Sequence, residues 1–266
     1  MIDHKRLKSI VTEAGRIAYD LWPGAGNTVK SWEKEPGSPV SDADLAVDAF
    51  LKRELHALLP SAGWLSEETV DDPERTERSL IWLVDPVDGT RDFIRGRTGW
   101  AVSVALISEG RPLIAMLYAP ARGPGGKGEF WQAVAGEGAS RNGEALTASS
   151  RHEFAGSRVP ADQMPTADSD LNCVDKPNSI ALRMAMVAAD EADLVATLRW
   201  GFEWDVGAAA LIAREAGAVV SDAFGQTLDY NRRDPRAFGL LVCSPAIHAD
   251  AIERIASRAA ELSKTR

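Results

Sequence analysis

The segment Trp82-Leu-Val-Asp85-Pro86-Val87-Asp88-Gly89-Thr90 constrains this chain more than any other. A continuous apolar run reads as a strand buried on both faces, and Leu80–Val84 is such a run that ends in acid at Asp85. Proline at position 86 lacks an N–H and holds φ near roughly −65°, so the strand must turn there. Asp88-Gly89 adds a second carboxylate and a residue at ease with positive φ. Thr90 then precedes what reads as a short helix near Asp92. One tight loop thus carries two carboxylates, a hydroxyl and the open N–H groups of a helix start, which suit a phosphate. Asp-Pro or Asp-Gly alone is an ordinary turn former. At average residue usage, all five residues at this spacing are expected in on the order of 1 in 10⁴ chains.

Carboxylates gathered with a phosphate seat suit magnesium, which prefers hard oxygen ligands and keeps waters and substrate phosphate as further ones. Two shorter stretches add acid. Ser66-Glu67-Glu68 follows the strand-like Gly63-Trp-Leu65, and Glu203-Trp204-Asp205 precedes a small-residue helix. Taken alone, a loop Glu pair is solvated surface and Asp205 is a helix cap.

Around these stretches the pattern is mixed. Leu7, Ile10, Val11, Ala14, Ile17 and Leu21 recur near a 3.6-residue period, and a second helix runs from Ser41 or Asp42 to about Leu59 after a polar loop, Lys30 to Ser38. Strands are expected at Ala101–Ile107, Leu113–Tyr118, near Phe130–Val134, at Ala218–Ser221 and at Phe238–Cys243. Helices are expected at Asp205–Ala216 and Pro245–Leu262, while Ile180–Val187 is apolar without a clear period. From Gly136 to Lys176 the chain is polar and reads as loops. The expectation is one catalytic unit with two lobes, a metal-binding α+β lobe over 1–135 and an α/β lobe over 136–266.

Composition excludes several classes. The net charge is −9, from 39 acidic and 30 basic residues, with no basic stripe, so a nucleic-acid polymer is not expected as a partner. No apolar run reaches membrane-spanning length, and residues 1–21 read as an amphipathic helix instead of a signal peptide. Cys173 and Cys243 have no metal-ligand spacing, and a reducing cytoplasm fits. The loop spacing of a calcium site is absent. So is the Asp-x-Asp-x-Thr of phosphatases that use an aspartyl nucleophile. His4, His56, His152 and His248 match no motif.

In this order the motifs resemble the inositol monophosphatase superfamily of magnesium-dependent, lithium-sensitive phosphatases. Its Asp-Pro-x-Asp-Gly-Thr stands here as Asp85–Thr90, its Gly-Glu-Glu as Ser66-Glu67-Glu68, and its Pro-Val-Thr-x-Ala-Asp as Pro39–Asp44. Its Trp-Asp, small-residue helix and Glu-Ala-Gly stand as Trp204–Gly217. The resemblance spans about Ile10 to Cys243 and is weakest between Gly136 and Asn178. It implies an α/β layered fold, the αβαβα sandwich, and Mg2+ as cofactor. Glu67, Asp85 and the carbonyl of Val87 would hold the metal that activates water. Asp85, Asp88 and Asp205 would hold a second, which stabilises the leaving alkoxide. Thr90, paired with Asp44, would orient the attacking water alongside Glu67, and the N–H groups of Gly89 and Thr90 would grip the phosphate.

Within the superfamily, Asp88-Gly-Thr-Arg-Asp92-Phe, Leu65-Ser-Glu-Glu68, Trp82-Leu-Val-Asp-Pro, Leu117-Tyr-Ala-Pro120 and Gly225-Gln-x-Leu-Asp-Tyr230 resemble the 3′(2′),5′-bisphosphate nucleotidase branch. That branch implies 3′-phosphoadenosine 5′-phosphate as substrate, giving AMP and phosphate, with Arg183 and Lys34 as candidate substrate contacts. Two stretches depart from it. Ser179-Ile-Ala-Leu-Arg183 stands for Gly-Ser-Ser-Leu-Lys, and Ala188-Ala-Asp190 for Ala-Glu-Gly. Alternatives are an inositol monophosphatase or another sugar phosphatase, or a binding or regulatory homologue without activity. All five carboxylates and Thr90 are present, which favours an enzyme. The resemblance implies a monomer or a homodimer.

Overall fold

The computed structural model describes residues 2–264. Helix α1 (His4–Leu21) is capped by Asp3, whose carboxylate accepts the Arg6 N–H. An exposed antiparallel hairpin follows, β1 (Ser31–Glu35) and β2 (Ser38–Ser41), where the sequence reads as a loop. Every β1 residue faces solvent, so the stretch lacks the apolar alternation that marks a half-buried strand. Ser41 caps α2 (Asp42–Leu58), and the Asp44 carboxylate accepts the Ser41 N–H in return at 2.8 Å.

Seven strands form the large sheet in sequential order: β3 (Gly63–Ser66), β4 (Leu80–Asp88), β5 (Ala101–Ser108), β6 (Arg111–Ala119), β7 (Glu129–Val134), β8 (Gly138–Arg141) and β9 (Glu144–Ala145). Short helix α3 (Thr90–Ile94) leaves the end of β4. The sheet therefore extends past residue 135, into the stretch that reads as loops. The same stretch holds β10 (Arg158–Pro160), which runs parallel to β11 (Asn172–Val174). Next come α4 (Ile180–Ala188), β12 (Leu194–Phe202), α5 (Glu203–Glu215), β13 (Val219–Ser221), β14 (Arg236–Cys243) and α6 (His248–Leu262). The small sheet is antiparallel in the order β12-β14-β13.

Alternation along the strands sets the layers. Trp82, Val84, Val102, Val104 and Leu106 point to α1 and α2, while Ile81, Leu83, Ala105, Ile107 and Leu117 point to α4 and α5. Val195, Val220, Leu240 and Val242 cover the far side of α4 and α5. Leu194, Leu241 and Cys243 face Ile247 and Ala251 at the start of α6. The result is the αβαβα sandwich. Buried side chains of this size each contribute about 1.5–3 kcal/mol. Among the described residues, no helix is long and apolar enough to cross a membrane.

The central layer is tight because α5 is built from small residues. A Cβ on Gly207 would lie 2.4 Å from Leu83 Cδ2 on β4. Glycine costs a helix interior about 1 kcal/mol against alanine, and close approach is the compensating gain. Gly207→Val is expected to lower stability by about 1–3 kcal/mol through overpacking, read from urea unfolding. Adding Leu83→Ala should cost less in that background than in the wild type. Additive costs would show that α5 does not press on β4 at this point.

Candidate active site

Strand pairing brings the acids together. Parallel β3 and β4 pair Ser66 with Val84, so both strands end at the same edge and Glu67 emerges beside Asp85. The Glu67 N–H donates to Val84 O at 3.3 Å. Between Asp85 and Asp88 the β4–β5 register shifts: Asp85 pairs with Ser103 but Asp88 with Ala101. The extra residue is a bulge, and it lies at Pro86-Val87. The Val87 side chain is buried in the core under α1 and α2, and its carbonyl accepts the Thr90 hydroxyl at 3.0 Å.

Gly89 makes the turn at φ 97°. A Cβ there would lie 2.6 Å from Gly99 O and 2.8 Å from Ser179 N, which are hydrogen-bonded to each other. Beyond it Thr90 Oγ1 lies 3.1 Å from Asp44 Oδ1. Among the described residues, neither the Gly89 nor the Thr90 N–H has an acceptor. Asp88 sits at the start of α4, where it accepts the Ser179 hydroxyl at 2.5 Å and the N–H groups of Ala181 at 2.7 Å and Ile180 at 3.2 Å. Asp205, in the first turn of α5, accepts the Phe202 N–H at 3.0 Å.

Glu67, Asp85, Asp88, Gly89, Thr90 and Asp205 thus line one cleft of about 540 Å³. Burial raises the proton affinity of every acid in it. Asp85 is pushed well above the ordinary aspartate range by burial and then by Glu67, Asp88, Asp205 and Asp44. Burial and then the charge on Asp88 take Asp205 up to about 7, and burial takes Asp44 to about 6. Glu67 and Asp88 are raised too, burial first, with the Ser179 hydroxyl and two α4 N–H groups opposing it at Asp88.

The donors are all hard oxygens. Among the described residues, no three His, Cys, Asp or Glu side chains close a cage around one point. Hard oxygen donors are the kind magnesium prefers, and Asp85, Asp88 and Asp205 would have to draw closer together, with waters and substrate oxygens completing the shell, to hold one ion.

The candidate substrate contacts lie elsewhere than a free cation would. Lys34, on β1, donates to Glu68 at 2.7 Å and to Glu67 at 3.4 Å. Arg183 lines the cleft, but its Nε and Nη2 donate to the carbonyls of Pro177 and Asn178, each at 2.7 Å. Asp92, read above as a branch marker, accepts the Asn178 N–H at 3.0 Å. Sequence reasoning missed Arg199 on β12, which lines the cleft, whose side chain makes no hydrogen bond or close ion pair among the described residues, and whose charge acts on Asp205. It also missed Ser179 as a donor to Asp88, and the ring pair Phe202 and Trp204, stacked at 4.3 Å and 6° on the cleft wall. Alternating aromatic positions around Glu203 were the available signal.

A five-layer sandwich with an acid-lined cleft between its two sheets defines a class, and comparison with known proteins gives the family. The sequence model of the inositol monophosphatase family matches residues 5–262. The 3′(2′),5′-bisphosphate nucleotidase CysQ of Aggregatibacter actinomycetemcomitans is 30% identical over 215 residues, covering 76% of this chain and 78% of that protein. The Nus factor SuhB of Xylella fastidiosa is 32% identical over 200 residues, covering 70% and 69%. The crystal structure of the extragenic suppressor protein suhB from Bartonella henselae superposes with a TM-score of 0.78 at 25% identity, over 94% of this chain and 97% of that one. The chain belongs to the inositol monophosphatase family, a family of phosphatases.

Crowded acids give stability a pH dependence. Aspartate in an unfolded chain titrates near about 3.9, whereas Asp44 and Asp205 do so at about 6 and about 7 in the fold. Across that window the folded state holds protons that the unfolded state has released, so stability is greatest below it and falls as pH rises. In EDTA, Tm is expected to drop between pH 5 and pH 7.5, and Asp205→Asn should shallow the slope. A Tm that climbs over this range would contradict the crowding.

Proposed function

We propose that the chain is a magnesium-dependent phosphomonoesterase whose preferred substrate is 3′-phosphoadenosine 5′-phosphate, cleaved to AMP and phosphate. The observation that carries this reading is a cleft whose lining joins Glu67, Asp85, Asp88 and Asp205 to the stacked rings of Phe202 and Trp204 and to Arg199, whose charge reaches Asp205. The acids suit cations and a phosphoryl group. An aromatic pair with a cation beside it suits a nucleoside that bears a second phosphate. The similarity to the CysQ nucleotidase supports the same branch.

Each residue then has a task. Glu67, Asp85 and the Val87 carbonyl would hold one magnesium ion, and Asp85, Asp88 and Asp205 a second. Bound magnesium supplies Lewis acidity toward phosphoryl oxygens and makes water acidic near neutral pH. The N–H groups of Gly89 and Thr90 receive phosphate oxygens. Thr90 Oγ1 has Val87 O at 3.0 Å and Asp44 Oδ1 at 3.1 Å as alternative acceptors for its one proton, and with that proton on either of them its lone pair would orient a water for attack on phosphorus. Asp44, at about 6, accepts a proton readily in neutral solution. Arg199 joins Arg183 and Lys34 as a candidate contact for the second phosphate; two of the Arg183 nitrogens already donate to the Pro177 and Asn178 carbonyls, and Lys34 already faces Glu67 and Glu68.

The deciding experiment is phosphate release with Mg2+ from 3′-phosphoadenosine 5′-phosphate, inositol 1-phosphate, fructose 1,6-bisphosphate and histidinol phosphate, with EDTA as control. The nucleotide should lead, EDTA should abolish turnover, and Arg199→Ala should narrow the lead by about ten- to a hundredfold, the worth of a charge-assisted hydrogen bond. Higher kcat/KM on inositol 1-phosphate would assign the chain to the sugar-phosphate alternative. No turnover of any substrate would favour a binding role, for which the similarity to a Nus factor is the support.

Thr90→Ala separates orientation from binding. Loss of the hydroxyl should lower kcat by roughly 10²-fold, the scale of a general acid–base group, with KM nearly unchanged. A raised KM at wild-type kcat would make Thr90 a binding residue.

A further inference from the structure

Helix α2 sends two carboxylates, one turn apart, toward the supports of the cleft. Asp44 reaches Thr90. Asp48, 7% exposed, accepts the Ser66 hydroxyl at 2.5 Å and the Thr69 hydroxyl at 2.6 Å. Those two hydroxyls stand on either side of Glu67-Glu68. The two glutamates face different ways. Glu67 opens into the cleft, while the Glu68 side chain is 2% exposed and held by Lys34. Asp48 lines no part of the cleft, so it touches neither phosphate nor reacting atoms. It fastens the backbone on both sides of the one glutamate that faces them.

We propose that Asp48 is a positioning residue that fixes Glu67 for its magnesium ion. Helix α2, through Asp44 and Asp48, then sets the distance between the Glu67 loop and the turn at Asp85–Thr90. The inference rests on Glu67 being a metal ligand. The physical reason is that Glu67 itself has only two long bonds, its N–H to Val84 O at 3.3 Å and Lys34 to its carboxylate at 3.4 Å. A carboxylate that accepts two hydroxyls in a buried setting adds a firmer restraint on the backbone at either side, since charge-assisted bonds of this kind are the strong ones. Outer-shell partners of metal ligands characteristically control affinity by 10–100-fold.

The test uses the full chain without substrate and titrates magnesium ion alone, reading the concentration that gives half the maximal rise in Tm. Asp48→Ala should raise that concentration by about 10–100-fold, and in a separate turnover assay kcat should recover as magnesium is increased while KM for substrate stays unmoved. Thr69→Val removes one of the two bonds with less disturbance, and should shift it in the same direction by less. If both variants melt earlier yet bind magnesium as the wild type does, Asp48 is structural only and the inference is overturned. Glu67→Gln tells the two failures apart. Unaltered magnesium affinity in Glu67→Gln removes Glu67 as a ligand. Weakened affinity there, with Asp48→Ala and Thr69→Val unaffected, removes only the positioning role.

Discussion

Like charges held together away from water are what this structure is organised around. Asp85 has Glu67, Asp88, Asp205 and Asp44 as electrostatic neighbours, and each raises its proton affinity. One pK unit corresponds to about 1.4 kcal/mol, so an aspartate moved to about 7, as Asp205 is, costs the fold a few kcal/mol at neutral pH. The surrounding elements answer that cost locally. The start of α4 aims two N–H groups and a hydroxyl at Asp88, and the start of α5 presents Asp205 to the Phe202 N–H. Helix N-termini favour negative charge, and here two of them are turned inward. What remains uncompensated is crowded acid, built into the fold by where the strands and helices end.

The core of this arrangement was legible because its residues are adjacent in sequence. Asp85, Asp88 and Thr90 lie within six positions, and proline and glycine between them dictate the turn. Elements with strong contrast were legible too: α1, α2, the central strands of the large sheet, and α5 with its small residues. Other parts lacked contrast. Helix α4 is apolar almost all round because both sheets cover it, so no face marks its period. In the β1–β2 hairpin every residue of β1 is exposed and its one apolar side chain, Trp32, has no alternating partner, and β12 mixes arginine with tryptophan at the edge of its sheet. Arg199 and Asp48 were invisible for a different reason. Their significance lies in which partners they have or lack, and those partners come from distant parts of the chain.

The two sheets divide the labour. Acidic groups come mainly from the carboxyl ends of β3 and β4 in the large sheet, whereas β12 in the small sheet brings Arg199 and leads into Phe202. Between them, α4 and α5 touch both. A change in the edge strand of the small sheet can therefore alter the aromatic and basic part of the cleft lining while the acids keep their places. The departures at Ser179–Arg183 fit this division only in part. Ser179 bonds to Asp88, and Arg183 braces the loop at Pro177 and Asn178, so both act from within the middle layer.

Gly89 carries a consequence for how this protein can vary. Its backbone adopts φ 97°, and the space where a Cβ would stand is taken by the hydrogen bond between Ser179 N and Gly99 O. Torsion and volume thus impose the same choice independently, and relaxing either would leave the other in force. Three stretches of main chain, at Gly89, Gly99 and Ser179, meet at that one hydrogen atom. In a library of all single substitutions, position 89 has an alphabet of one letter, and it is main chain, not chemistry, that writes it.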